Sequence, residues 1–287
     1  MRSFLSIPAV GLLLSALFFS CSGPAPSAEA VIEAINRDSI PTQNGIALTP
    51  DYRYLYVSLP TDETNSGGRP LTRIYVRAWG GTGYGEAQEV SFNSRYMDYH
   101  PVLTPDGKRL YFNTNRPKPG SPVVEGTMDI WYVEKKGRGW SEPEYLYAIN
   151  TPMQESYPSV DQRGILYFNS DRSGGFGSMD IWRYDPGIED FIRPHWVHHI
   201  NSAASENDLT VSPDGEHLIF NRYQFEDGSI DLYHSTWNGE NWSEPALLDQ
   251  VNEPDIWELT PTIGPQGKLF LYEREGIIRA MRLADVF

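Results

Sequence analysis

Apolar and polar positions alternate along most of this chain in short runs, and the runs recur as a larger unit. An apolar residue followed by Asn marks the start of each unit: Ile35-Asn36, Phe92-Asn93, Ile149-Asn150, Ile200-Asn201 and Val251-Asn252, at intervals of 57, 57, 51 and 51 residues. Behind each marker comes an apolar strand and a tight turn, read as LTPDY, LTPDG, VDQRG, VSPDG and IGPQG from Leu48, Leu103, Val160, Val211 and Ile263. Pro presets φ and Gly accepts positive φ, so Pro-Asp-Gly is a turn signal with a mechanism. A second strand follows as Leu55-Tyr56-Val57, Leu110-Tyr111-Phe112, Leu166-Tyr167-Phe168, Leu218-Ile219-Phe220 and Leu269-Phe270-Leu271. A third is clearest as MDIW from Met128 and Met179 and IDLY from Ile230, and a fourth follows Trp140 and Trp242 in WSEPEYL and WSEPALL.

Four strands per unit of 40–60 residues is the period of propeller blades. The pattern predicts an all-β, five-bladed β-propeller of four-stranded antiparallel blades. The last unit has three strands, and Ala30-Val31-Ile32-Glu33-Ala34 matches the fourth-strand segments of the other units. The expectation is that this N-terminal strand completes the last blade and closes the ring, hiding an edge. A sixth blade would need about 40 more residues.

Composition agrees with many short strands and turns: 17 Tyr, 8 Trp and 12 Phe against 6 Met, with 25 Gly and 22 Pro. A net charge of −15 with no Lys/Arg stripe disfavours nucleic acid as a partner and favours cations or basic peptides. Residues 1–20 carry Arg2 and then an apolar stretch from Phe4 to Phe19, the pattern of a signal peptide. The run ends at Cys21, the only cysteine, so no disulfide is available. The segment resembles a bacterial lipoprotein signal, with Phe18 and Phe19 where Leu and a small residue are usual. That resemblance implies lipidation at Cys21, a tether over residues 21–30, a propeller over 31–287, and membrane contact only through the lipid.

The units TPDGKRLYFNTNR…MDIW and DQRGILYFNSDRSGGFGSMDIW resemble the WD40-like (PD40) propeller repeat of the TolB type. The likeness spans nearly the whole chain after the signal and is strongest in the middle three units. Best-known relatives have six or more blades. The resemblance implies a periplasmic or outer-membrane protein, and it does not select an activity: relatives include scaffolds, sensory and peptidase-associated propellers and polysaccharide lyases.

Several residues have architectural explanations. Arg116 with Asp129, Arg172 with Asp180 and Arg222 with Asp231 recur as Arg–Asp pairs across the hairpin between second and third strands. Arg73 and Arg274 break that pattern. SGGFGS from Ser173 is followed by a strand, not a helix, so it is a loop and not a phosphate cradle. Trp131, Trp140, Trp182 and Trp242 recur as blade packing, whereas Trp196 and Trp257 fall outside the pattern. His195, His198 and His199 resemble metal spacing, but His198 and His199 point to opposite faces of a strand.

The candidate site lies at the entry to the first strand of each blade. Asp98, Glu155, Glu206 and Glu258 occupy that place, with Gln43 in the fifth blade position. Two residues further on stand Gly45, His100, Tyr157, Asp208 and Thr260. Four carboxylates around one mouth would repel one another, or share a cation such as Ca²⁺ held at Glu155 and Glu206. His100, Tyr157 and Asp208 would tune such a site for a metal, an amine or a basic peptide. The other reading makes each acid a cap on the backbone of a neighbouring blade. No residue is assigned a catalytic role and no cofactor is required beyond that possible Ca²⁺. The sequence therefore reads as a monomeric, non-catalytic envelope module for a protein or glycan partner. Its rival is a glycoside hydrolase or polysaccharide lyase using the channel acids.

Overall fold

The computed structural model describes residues 23–65, 67–121, 127–188, 195–197 and 199–287. The signal segment and Cys21 lie outside the described residues, as does His198. Among the described residues no helix is long and apolar enough to cross a membrane.

Blade 1 comprises β1 (Ile46–Leu48), β2 (Tyr54–Thr64), β3 (Pro70–Ala78) and β4 (Gln88–Glu89). Blade 2 holds β5 (Asp98–Leu103), β6 (Arg109–Thr114) and β7 (Asp129–Lys136), with β8 (Gly139–Trp140) and β9 (Glu144–Tyr145) both paired to β7. Blade 3 is β10 (Glu155–Val160), β11 (Leu166–Ser170), β12 (Asp180–Tyr184) and β13 (His195–Trp196). Blade 4 is β14 (Ser205–Val211), β15 (His217–Tyr223), β16 (Ile230–Thr236) and β17 (Ala246–Leu247). Blade 5 has β18 (Glu258–Ile263), β19 (Leu269–Arg274) and β20 (Ile277–Arg282). Pairing is antiparallel in sequence order within every blade. The first strands touch one another in the order β1, β5, β10, β14, β18, and β18 meets β1, so the ring is closed. One face of the disc therefore carries the interblade crossovers and the hairpins between second and third strands. The other carries the Pro-Asp-Gly turns and the hairpins after the third strands.

The period of two explains where the core sits. Successive residues of a second strand face opposite sides, so Leu110 and Phe112 pack back on Ala47, Tyr56 and Ile74 of blade 1. Tyr111, between them, packs forward on Leu166 and Phe168 of blade 3. The same alternation places one apolar cluster in each of the five seams between blades.

The closure differs from the sequence-based expectation. The N-terminal segment is a helix, α1 (Ala28–Asp38), and blade 5 keeps three strands. Ser27 caps it by accepting from Ala30 N at 3.2 Å, Glu29 sits in the positive first turn, and Ser39 ends it in a left-handed conformation. Val31, Ala34 and Ile35 form its buried face at helical spacing, and Val31 and Ile35 pack with Leu269, Leu271, Ile278 and Ala280. The resemblance to fourth-strand sequences was local. Three alanines, a serine cap and apolar positions at i, i+3 and i+4 favour helix over strand. The helix covers the edge that a fourth strand would have covered.

The marker nevertheless works in all five places. Each marker Asn donates through Nδ2 to a third-strand carbonyl and accepts at Oδ1 from the N–H of the same residue, at 2.8–3.1 Å. The partners are Ala280 for Asn36, Ile74 for Asn93, Ile130 for Asn150, Ile181 for Asn201 and Leu232 for Asn252. An Asn side chain thus substitutes for one residue of the missing ladder. Asn150→Ala, which orphans the N–H of Ile130 and leaves its carbonyl only the Leu146 N–H, should lower stability by about 1–2 kcal/mol in a denaturant melt.

Candidate functional site

The four first-strand acids are buried, and each is held by an arginine of its own blade. Arg116 meets Asp98 at 2.6 Å, Arg172 meets Glu155 at 2.8 Å, Arg222 meets Glu206 at 2.8 Å and Arg274 meets Glu258 at 3.0 Å. The same guanidinium also donates to the carbonyl just before the marker Asn: Phe92, Ile149, Ile200 and Val251 respectively. In blades 2 to 4 the residue after the marker completes the clamp. Ser94, Thr151 and Ser202 each give the carboxylate a backbone N–H and a hydroxyl. Blade 5 has Glu253 there, which pairs with Arg274 instead. Glu258 Oε2 has no hydrogen-bond partner, and burial pushes this carboxyl up to about 7.

These contacts correct two expectations. The acids do not face one another unscreened around a mouth, because each has its own cation. The arginines pair with Asp98, Glu155 and Glu206, and not with Asp129, Asp180 and Asp231. Backbone register explains the change: Asp129 stands opposite Thr114 and Asp180 opposite Ser170, two residues short of Arg116 and Arg172. Arg222 does lie opposite Asp231, yet its side chain turns to Glu206, which stands on its other flank. Asp180 instead accepts from the N–H groups of Phe176 and Gly177 and closes the SGGFGS loop. Asp129 Oδ1 has no hydrogen-bond partner, and burial with the charge of Glu155 raises its pKa to about 7. The recurrent aromatics serve the clamp. Arg116 lies against Phe112 and Trp131, Arg172 against Phe168 and Trp182, and Arg222 against Phe220 and Tyr233.

A second ring lies one step further along the first strands. Asn44, His100, Tyr157, Asp208 and Thr260 all have positive φ, between 37° and 55°. The blade 1 member is Asn44, one residue before the Gly45 expected from overlaying the sequences. Non-glycine residues pay about 1–3 kcal/mol for such strain, so the surroundings must fix it, and they do. His100 N donates to Ser58 Oγ at 3.1 Å, Tyr157 N to Asn113 Oδ1 at 3.0 Å and Asn44 N to Glu273 Oε2 at 2.9 Å. Thr260 N donates to Asp208 Oδ2 at 3.1 Å, and Asn169 Nδ2 to the Glu206 carbonyl at 2.7 Å. Every seam carries one of these bonds, so the belt stitches each blade to the next.

The structure brings His100, Tyr157 and Asp208 together. The His100 and Tyr157 rings meet edge to face at 4.9 Å, and burial, with the nearby Asp208 carboxylate, raises the Tyr157 hydroxyl well above its ordinary range. Burial drives His100 down to about 3, which keeps the imidazole neutral. Burial lifts Asp208 to about 6 and Glu273 to about 7, the latter also repelled by Asp208. His100 Nδ1, Asp208 Oδ1 and Thr260 Oγ1 are buried without partners. Glu273 belongs to this group and was missed from sequence. The register in blade 5 puts it where the other second strands carry Ser58, Asn113, Asn169 and Asn221, whereas overlaying the sequences puts Tyr272 there. Below His100 the channel opens on the turn face as a small pocket of about 50 Å³, walled by Ile46, Val102, Leu209, Val211 and Ile263 and rimmed by Pro105, Pro213 and Pro265.

Asp129, Asp208, Glu258 and Glu273 bind protons more tightly folded than unfolded. Stability should therefore fall as pH rises from about 4 toward 8, because the unfolded carboxylates have already released their protons. His100 acts oppositely, but only below its unfolded value near 6.5. Between pH 6.5 and 8 the decline stands alone. Melting temperature should drop across that window, and less steeply in Asp208→Asn/Glu273→Gln.

Among the described residues, no group of three or more His, Cys, Asp or Glu side chains is placed to hold a metal. Both oxygens of Glu155 and of Glu206 already accept hydrogen bonds within their clamps. His195 and Trp196 form β13, and Trp257 is exposed in the crossover before blade 5.

No protein-family model matches this sequence, and no curated protein matches it. Among solved structures it is similar to TolB from Acinetobacter baumannii, at 19% identity and a TM-score of 0.50, covering 85% of this chain and 52% of that one. It is also similar to a protein assigned as TolB in Agrobacterium tumefaciens, at 15% identity and a TM-score of 0.51, covering 80% of this chain and 69% of that one. The chain thus spans about half the length of the first and about two thirds of the second. An oligogalacturonate lyase in complex with manganese is similar at 13% identity and a TM-score of 0.43, too distant to bear on function. The fold is that of TolB-type propellers, with five blades.

Proposed function

We propose that this propeller is a non-catalytic binding and scaffold module of the cell envelope, anchored through a lipid at Cys21 and holding a protein or glycan partner. The observation that supports it most is the clamp. A glycosidase needs two carboxyls that face a shared substrate, and here each repeated acid is buried against an arginine of its own blade. The TolB-like fold and the propeller's rigid stitched ring suit a scaffold. The rival carbohydrate-active reading draws on Asp208 and Glu273, the axial carboxyls that no arginine holds.

Calorimetric titration of the full-length chain with basic peptides and with neutral and acidic oligosaccharides tests this reading. Binding without product formation supports a module. Turnover of a glycan, abolished by Asp208→Asn with the fold intact, sinks it in favour of the enzyme.

A further inference from the structure

The two faces of the disc differ in how their charges are balanced. On the turn face six bases are paired with acids, Arg53 with Asp51, Lys108 with Asp106, Arg109 with Glu134, Arg163 with Asp161, Arg183 with Asp185 and Arg282 with Asp285, while Asp214, Glu216 and Glu240 are exposed there as well. On the crossover face of blades 3 to 5, Asp171, Glu226, Asp227, Asp249, Asp255 and Glu275 are exposed. Among the described residues of those loops, the only Lys or Arg side chains are the clamp arginines Arg172, Arg222 and Arg274, which are committed to buried acids.

The same face carries most of the exposed large apolar side chains. Tyr147, Met153, Phe176, Phe225 and Trp257 all lie in interblade crossovers or in hairpins between second and third strands. Phe225 is 57% and Trp257 55% exposed, in loops one after the other around the ring. Scattered apolar residues need no explanation, but five of the eight among the described residues gathered on one face and interleaved with carboxylates do. Among the described residues, the segment leading into α1 lies on the opposite side. Gly23 O accepts from Arg53 on the turn face at 2.7 Å, and the start of α1 lies near Lys268 and Arg282.

We infer that the crossover face of blades 3 to 5 docks a cationic polypeptide segment that carries aromatic or aliphatic side chains. This rests on the binding-module reading and names the partner's chemistry. The carboxylates attract and orient the segment, and the exposed rings give its apolar side chains a place to pack. A purely basic chain would gain only the screened, salt-sensitive part. An acidic partner would be repelled.

The test titrates the full-length chain with three nine-residue peptides, (Lys-Lys-Trp)₃, (Lys)₉ and (Glu-Glu-Trp)₃, in 150 mM salt. The expected result is (Lys-Lys-Trp)₃ binding about tenfold tighter than (Lys)₉, with no binding of the acidic peptide. Phe225→Ser/Trp257→Ser should erase that tenfold difference, and Glu226→Lys/Asp255→Lys should weaken both cationic peptides. These residues are exposed, so the fold should survive, as an unchanged melting temperature would verify. Equal binding of (Lys-Lys-Trp)₃ and (Lys)₉, unaffected by the serine variant, would overturn the proposal, as would no binding of either cationic peptide. If oligosaccharides then bind without turnover, the docking proposal falls and the module reading stands. Glycan turnover removes the module reading itself.

Discussion

Replacing Arg222 with alanine should lower the melting temperature by about 10 °C. The substitution leaves the Glu206 carboxylate buried with no cation, and breaking a buried ion pair from one side costs about 3–5 kcal/mol. A chain of this size loses about 2–4 °C per kcal/mol. Arg222 also holds the Ile200 carbonyl at 2.9 Å and lies against Phe220 and Tyr233, so packing is lost along with charge. Arg222→Lys should recover little, because one ammonium cannot serve both the carboxylate and the carbonyl in that geometry. Differential scanning calorimetry of the three proteins measures this directly.

The second large effect is expected at the closure. Val31 and Ile35 are fully buried between α1 and blade 5. Val31→Ala/Ile35→Ala should cost about 4–6 kcal/mol, as two cavities in one seam. Loosening the helix also uncovers β20, an edge whose backbone is otherwise capped by Asn36 and by the Ile278 N–H to Ile40 O bond. The variant should therefore gain concentration-dependent association, seen by light scattering, that Arg222→Ala lacks. A variant that melts like the parent would mean α1 is dispensable and the ring closes through β1 and β18 alone.

Much of the architecture could be read without coordinates, since repeated spacing is a signal in itself. Five Asn markers announced five blades, and each side chain performs the same docking task. The helix was not readable from the repeat, because Val31-Ile32-Glu33-Ala34 shares the apolar pattern of the fourth strands and only its wider spacing and Ser27 cap reveal its period. The acids were found, yet their partners were misplaced. A hairpin register places Arg116 and Arg172 two residues beyond their Asp neighbours, and Arg222 and Arg274 reach the same spot from a different backbone position. Sequence spacing cannot convey that two arginine positions converge on one clamp. Glu273 escaped because it looks like strand filler until the ring places it beside Asp208.

The central claim is that the repeated acids are structural clamps and that recognition takes place elsewhere. A double-mutant cycle on Glu206 and Arg222, read as denaturant midpoints with (Lys-Lys-Trp)₃ binding measured alongside, tests it most directly. The account predicts that Glu206→Gln and Arg222→Met each destabilise strongly, that the double variant is no worse than either, and that peptide affinity persists in Glu206→Gln. A Glu206→Gln protein that melts like the parent but no longer binds peptide would contradict it and return the acid ring to the role of ligand site.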